Sequence, residues 1–287
     1  MVHTMNTILF PTDFSENSNH AFRFAKMMAG AKKAKLILLY TYNLPLVAPM
    51  NTFTNREQTL SLIDNDLREA AHIRMKAYTK ELDLMSDDYT VLIREGNTVD
   101  IVVDCCKEEK VDLIVMGTKG RTNNRDFLIG SITAKLIEKV NIPLLAIPES
   151  ATIHPFKKIV FATDFINDSS SEIQKVIDFA KLNDSSLTFL HVKTDSEKGE
   201  KGLGELQKTI ERNSQQDLGL EIIHANNIEK GVDCYLKENE TNLLVLSNHT
   251  KSFFEKLFHK SISKEMILHS KIPLLIFSKE IHPIVFF

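Results

Sequence analysis

The sequence predicts an α/β protein of two tandem, doubly wound, five-stranded parallel-sheet domains, and three observations carry that prediction. Short apolar runs alternate with longer amphipathic stretches, the 287 residues suffice for two ordinary domains, and the second half repeats landmarks of the first. ILFPTDFS at Ile8–Ser15 returns as IVFATDFI at Ile159–Ile166, an offset of 151 residues. VDLIVMG at Val111–Gly117 returns as TNLLVLS at Thr241–Ser247, and NIPLLAIPE at Asn141–Glu149 as KIPLLIFSK at Lys271–Lys279, both at an offset of 130. The shrinking offset means that the first copy has the longer connection between its second and third strands. A linker near Ser150–Pro155 divides the chain into domains 1–150 and 151–287.

The elements of the first copy follow in order. TILFP is a strand, and Ser15 is placed to cap a helix over Asn17–Gly30. KLILLYT is the second strand. The segment Asn43–Asn55, with two prolines and no period, is a loop into a long amphipathic helix over Arg56–Leu84, whose charged face suits water better than a membrane surface. YTVLIRE is the third strand, Asn97 caps a helix over Val99–Glu109, VDLIVMG is the fourth strand, a helix covers Ser131–Val140, and PLLAIP is the fifth strand. These runs are apolar on both faces, as a parallel sheet covered on both sides demands. The predicted strand order is the Rossmann-like 3-2-1-4-5, whose winding reverses between strands one and four and leaves a ligand crevice at their carboxyl ends. Strand one ends at Pro11, Thr12 and Asp13, and strand four ends at Gly117, so two conspicuous motifs converge there.

Composition narrows the partners. A formal net charge of −3, with basic residues scattered among acidic ones, gives no field to hold a polyanion, so nucleic acid is not an expected partner. No apolar run reaches the 18 or so residues of a membrane span, and MVHTMNTILFPTDF lacks the basic start and apolar core of a signal. The expectation is a cytoplasmic protein with no membrane partner. Cys105, Cys106 and Cys234 lack the C-x-x-C spacing of metal or redox sites and are read as reduced packing residues. His191, His224, His249, His259 and His269 match no zinc pattern, so no metal site is expected, and His191 is read as structural.

The loop GTKGRTNNRDFLIGS, Gly117–Ser131, has the makings of a phosphate cradle. Glycines allow positive φ and close backbone approach, and Gly130 and Ser131 open a helix whose first N–H groups and dipole favour an anion. Lys119, Arg121 and Arg125 add positive charge. A plain strand-to-loop turn is the competing reading of the loop alone. Neither the G-x-G-x-x-G dinucleotide fingerprint nor a P-loop is present.

The spacing Gly117-x2-Gly120-x9-Gly130-Ser131, together with PTDFS at Pro11–Ser15, resembles the ATP-binding signature of the universal stress protein family, and each half resembles one family domain. The resemblance implies that Asp13 contacts the ribose and adenine region, with Pro11 and Thr12 lining the base. It implies that Thr41 packs near the adenine, where valine is more usual, and that Met116 turns its backbone to the base. Gly117 and Gly120 would then surround the phosphates with Arg121 beside them, and Gly130, Ser131 and Ile132 would form the helix-start phosphate site. The expected ligand is ATP, with AMP or ADP as alternatives and Mg2+ accompanying ATP. The resemblance further implies pairing of the two halves through strand five, with a homodimer of the tandem chain as a further assembly.

The second copy keeps Thr163 and Asp164 but has Ser247, Thr250 and Lys260 at the glycine positions, leaving Ser261. It is expected not to bind ATP in the family manner. The apolar terminus IHPIVFF is expected to serve an oligomer contact. The functional reading is a regulatory, stress-response nucleotide-binding protein; the alternatives are a slow ATPase, since no base or metal-binding carboxylate is placed near a γ-phosphate, and a nucleotide-independent scaffold.

Overall fold

A computed structural model of the protein describes residues 5–45, 56–85, 89–118, 130–163, 168–194, 203–247 and 271–277. In the first half the elements are β1 (Thr7–Pro11), α1 (Glu16–Lys32), β2 (Lys35–Tyr42), α2 (Arg56–Glu81), β3 (Tyr89–Glu95), α3 (Thr98–Glu108), β4 (Leu113–Gly117), α4 (Ser131–Lys139) and β5 (Leu144–Ile147). The second half runs β6 (Lys158–Ala162), α5 (Ser170–Leu182), β7 (Ser186–Lys193), α6 (Leu203–Arg212), β8 (Leu218–His224), α7 (Ile228–Glu238), β9 (Leu243–Ser247) and β10 (Leu274–Phe277).

All ten strands form one sheet in the order β3-β2-β1-β4-β5-β10-β9-β6-β7-β8. Each half is parallel in the predicted order 3-2-1-4-5, and the halves join where β10 runs antiparallel to β5, with Leu275 opposite Leu145. The expected pairing through strand five therefore occurs within this chain. Alternate residues along β1 serve opposite cores: Ile8 and Phe10 face one, Leu9 the other. The same alternation crosses the seam, with Leu145 and Leu275 in the first core and Leu144 and Ile276 in the second. Covering both faces is what makes the strands read as continuous apolar runs.

Local chemistry sets the helix ends. Ser15 Oγ accepts from the Ser18 N–H at 3.1 Å, and Asn97 Oδ1 from the Val99 N–H at 3.0 Å, as the sequence predicts. In the second half Ser169 and Glu172 form a reciprocal capping box, so α5 starts at Ser170. Position 167 is the counterpart of Glu16, so α5 begins almost one turn late.

The repeat extends to individual bonds. The Asp112 carboxylate accepts from the N–H groups of Asn6 and Thr7 at 2.7 and 3.0 Å; Asn242, its counterpart, accepts from those of Lys157 and Lys158 at 3.1 and 3.0 Å. Lys33 and Asp184, 151 residues apart, both turn the chain with left-handed φ, 53° and 50°.

One expectation needs correction. Cys105 and Cys106 are buried on α3, and burial pushes their thiols up to about 11 and about 12, but Cys234 on α7 is exposed and is not a packing residue. A position on an amphipathic helix does not reveal which neighbour covers it. No helix among the described residues is long and apolar enough to cross a membrane.

Candidate functional site

The crevice at the switch between β1 and β4 is built from short-range bonds. As β1 ends, the Thr12 N–H donates to the Leu39 carbonyl of β2 at 2.9 Å, which holds the strand end in line. Thr12 is buried; its Oγ1 lies 2.9 Å from Ser18 Oγ on α1 and accepts from the Phe14 N–H at 3.0 Å. Asp13 Oδ1 accepts from the Ser15 N–H at 3.0 Å, so this carboxylate organises the turn from β1 into α1. Between them Phe14 adopts a left-handed φ of 60°. That conformation is strained for an aromatic residue, and packing compensates it: Phe14 lies 4.6 Å from the Tyr40 ring and 5.0 Å from the Tyr78 ring, with the Arg74 guanidinium 4.5 Å above it. Burial raises the Tyr78 phenol above its usual range, and its hydroxyl sits beside the Thr12 and Ser18 hydroxyls, which draw it partly back.

Gly117, at the end of β4, has a local reason to be glycine. A Cβ there would stand 2.7 Å from Asn17 Nδ2 and 3.3 Å from the Asn17 carbonyl on α1. Its φ is not in the left-handed range, and the glycine serves close approach of α1 to β4. The sequence reasoning gave Gly117 a phosphate role and missed Asn17, although Asn17 lies in the first turn after the predicted cap. In the second half Ser247 occupies the Gly117 position, buried and with no partner for its Oγ among the described residues, and Asp168 takes the place of Asn17. There Asp168 accepts a hydrogen bond from Thr163 instead, and it precedes the first turn of α5, which starts at Ser170.

Across the crevice, α4 begins with Gly130 as N-cap at φ −60°, in extended conformation and with no side-chain cap. The Gly130 N–H donates to the Thr118 carbonyl at 2.5 Å, and Thr133 Oγ1 donates to the Gly117 carbonyl at 3.3 Å, which tie the helix start to the end of β4. Ser131 and Ile132 are exposed on the first turn. Gly130 thus offers the first-turn N–H groups no side-chain cap, and the positive end of the helix dipole opens on the carboxyl ends of the strands.

Thr41, on β2, is half-buried, and its Oγ1 lies 2.6 Å from Thr98 Oγ1 at the start of α3. Its hydroxyl is thereby engaged within the fold. Met116 is buried on β4, and Pro11 is half-buried at the end of β1. The structure brings Pro11, Thr12, Asp13, Met116, Gly117, Gly130, Ser131 and Ile132 to the same sheet end. Gly120 and Arg121 lie outside the described residues, as do Lys119, Arg125, Asp164, Thr250, Lys260 and the IHPIVFF terminus. His191 has the structural position expected of it, with Nδ1 3.0 Å from the Thr163 carbonyl. Among the described residues no cluster of His, Cys, Asp or Glu could hold a metal ion.

Comparison with known proteins agrees with this architecture. The universal stress protein family matches residues 4–148 and again residues 155–278. Universal stress protein MJ0577 of Methanocaldococcus jannaschii is 30% identical over 150 residues, covering 49% of this chain and 93% of that protein. Universal stress protein Slr1230 of Synechocystis is 23% identical over 300 residues, covering 95% of this chain and 100% of its own length. The crystal structure of a universal stress protein from Archaeoglobus fulgidus superposes with a TM-score of 0.70 at 16% identity, covering 97% of this chain and 98% of the other, which is a likeness of fold. A ten-stranded sheet of two 3-2-1-4-5 halves, matched twice over nearly its whole length, means that the chain belongs to the universal stress protein family, with two family units in tandem.

Proposed function

We propose that the N-terminal half binds one adenine nucleotide, ATP or its relatives AMP and ADP, across the carboxyl ends of β1 and β4, and that the protein acts as a regulatory stress-response protein whose contacts follow its nucleotide state. The observation that carries this reading is the start of α4, where Gly130 caps the helix without a side chain beside exposed Ser131. First-turn N–H groups that the N-cap residue does not satisfy, together with a positive dipole, suit a phosphate. In this reading Gly130, Ser131 and Ile132 take the phosphates together with Gly120 and Arg121. Asp13 takes the ribose side, and Pro11, Thr12, Thr41 and Met116 form the base end. Gly117 contributes by letting α1 close on β4. Mg2+ accompanies ATP. In this reading hydrolysis is at most slow, because Asp13 is assigned to the nucleoside end and no residue is assigned as a base at the γ-phosphate. The units extend over residues 1–150 and 151–287, and only the first carries the site.

Native mass spectrometry and titration calorimetry with ATP test this on the wild-type chain and on Gly130→Lys, which carries the second half's residue into the first. The expected result is one adenine nucleotide per chain, with affinity reduced at least tenfold in the variant. Two per chain would sink the assignment to one half. No binding would favour the nucleotide-independent scaffold.

A further inference from the structure

The two halves meet at two places related by the pseudo-twofold axis of the repeat, and they are filled differently. On one side Phe24 of α1 stacks on Phe156, which precedes β6, with ring centroids 6.2 Å apart and planes 13° from parallel; both rings are fully buried. The offset of 151 places Lys175 of α5 at the position of Phe24, and Met5 at that of Phe156. Matching bonds of Asp112 and Asn242, and the matching turns at Lys33 and Asp184, fix this register.

Where the rings are missing, a cavity of about 250 Å³ opens, its apolar wall formed by Met5, Leu113, Pro143, Phe179, Leu182 and Phe277. Its polar lining includes Asp112, Glu172, Asp178 and Lys175. Asp112 is engaged by the Asn6 and Thr7 N–H groups, Glu172 by the Ser169 N–H and hydroxyl at 2.9 and 2.7 Å, and Asp178 by the Gln174 amide at 3.0 Å. The carboxylates are thus held by the protein, which leaves the apolar wall to receive a guest.

We propose that this cavity is a binding site for a small aromatic molecule, neutral or cationic, about the size of one fused bicyclic ring. Its volume decides the size, since an apolar cavity of roughly 150 Å³ holds benzene. The mate site shows the shape, flat rings lying parallel between the corresponding elements. Three carboxylates against one ammonium decide the charge and disfavour an anion. The cavity lies at the amino ends of β4 and β5, the opposite sheet edge from the nucleotide crevice, so it is independent of that site.

The full chain labelled with 13C-methyl methionine, titrated with indole, tryptamine and indole-3-acetate, tests the proposal. The Met5 resonance, one of nine, is assigned with Met5→Leu. Indole and tryptamine are expected to give a saturable Met5 shift, with indole-3-acetate at least tenfold weaker. Gly130→Lys should leave the shift unchanged. In Met5→Phe/Lys175→Phe, which carries in the residues of the filled side, saturation transfer to indole should disappear. If that pair fails to fold, Lys175→Phe alone should weaken the Met5 shift at least tenfold. No Met5 shift up to the solubility of indole, a shift at Met116 instead, or undiminished binding in the filled variants would overturn the proposal.

Discussion

Gly117 and Asn17 illustrate how much one missing Cβ decides. Placing alanine at 117 forces that carbon to 2.7 Å from Asn17 Nδ2, and crowding of this kind costs about 1–3 kcal/mol. Gly117→Ala is therefore expected to lower the urea midpoint, and Asn17→Ala in the same chain to recover part of the loss; additive effects would show that the two do not meet. The cysteines give a second test at this scale. Exposed Cys234 is expected to react quickly with a thiol reagent at neutral pH, while Cys105 and Cys106 wait for unfolding, so one fast thiol of three is the expected stoichiometry. The same burial sets a pH dependence. Folded Cys105 and Cys106 keep their protons to about 11 and about 12, whereas the unfolded chain releases them above about 8.5. The unfolded state then binds fewer protons, and stability falls as pH rises through this window. Cys106→Ala should flatten that fall in urea titrations between pH 8 and 11, and an unchanged slope would refute the cause.

Among the elements, the seam between β5 and β10 has the largest consequence. Leu145 and Leu275 face each other across antiparallel strands and are fully buried, so the edge that each half would expose alone is paired and covered. Leu275→Ala is expected to destabilise the chain by about 2–5 kcal/mol, measured by urea denaturation. A similar loss is expected for Phe24→Ala on the filled side of the junction, whereas Lys175→Ala on the open side should change little. The start of α5 carries another lesson of this scale. Ser169 and Glu172 cap the helix late, so Asp168, the counterpart of Asn17, stands before the first turn of α5 rather than on it. Gly117 and Ser247 thus stand beside helices that begin at different points of the repeat.

In the whole molecule, one sheet crosses both halves and both cores run through the seam. A chain ending at Ser150 would expose β5 as an edge with Leu144–Ile147 on it, and such an edge seeks a partner strand. This half is expected to form dimers by light scattering where the tandem chain shows its internal pair; a stable monomer would mean that the seam adds little to the association.

Sequence alone determined the fold class, the repeat and its register, the caps at Ser15 and Asn97, and the meeting of Pro11–Asp13 with Gly117, because period, apolar runs and capping chemistry are local and recur at a fixed offset. It could not reveal that Asn17 is what Gly117 makes room for, that the Thr41 hydroxyl is turned to Thr98, or that Cys234 faces water. Nor could it show that Phe24 and Phe156 stack while Lys175 and Met5 border a cavity. Those outcomes depend on which residues distant in the chain come within a few ångströms of one another, and only the packing of helices on the sheet, and of one half against the other, sets those distances.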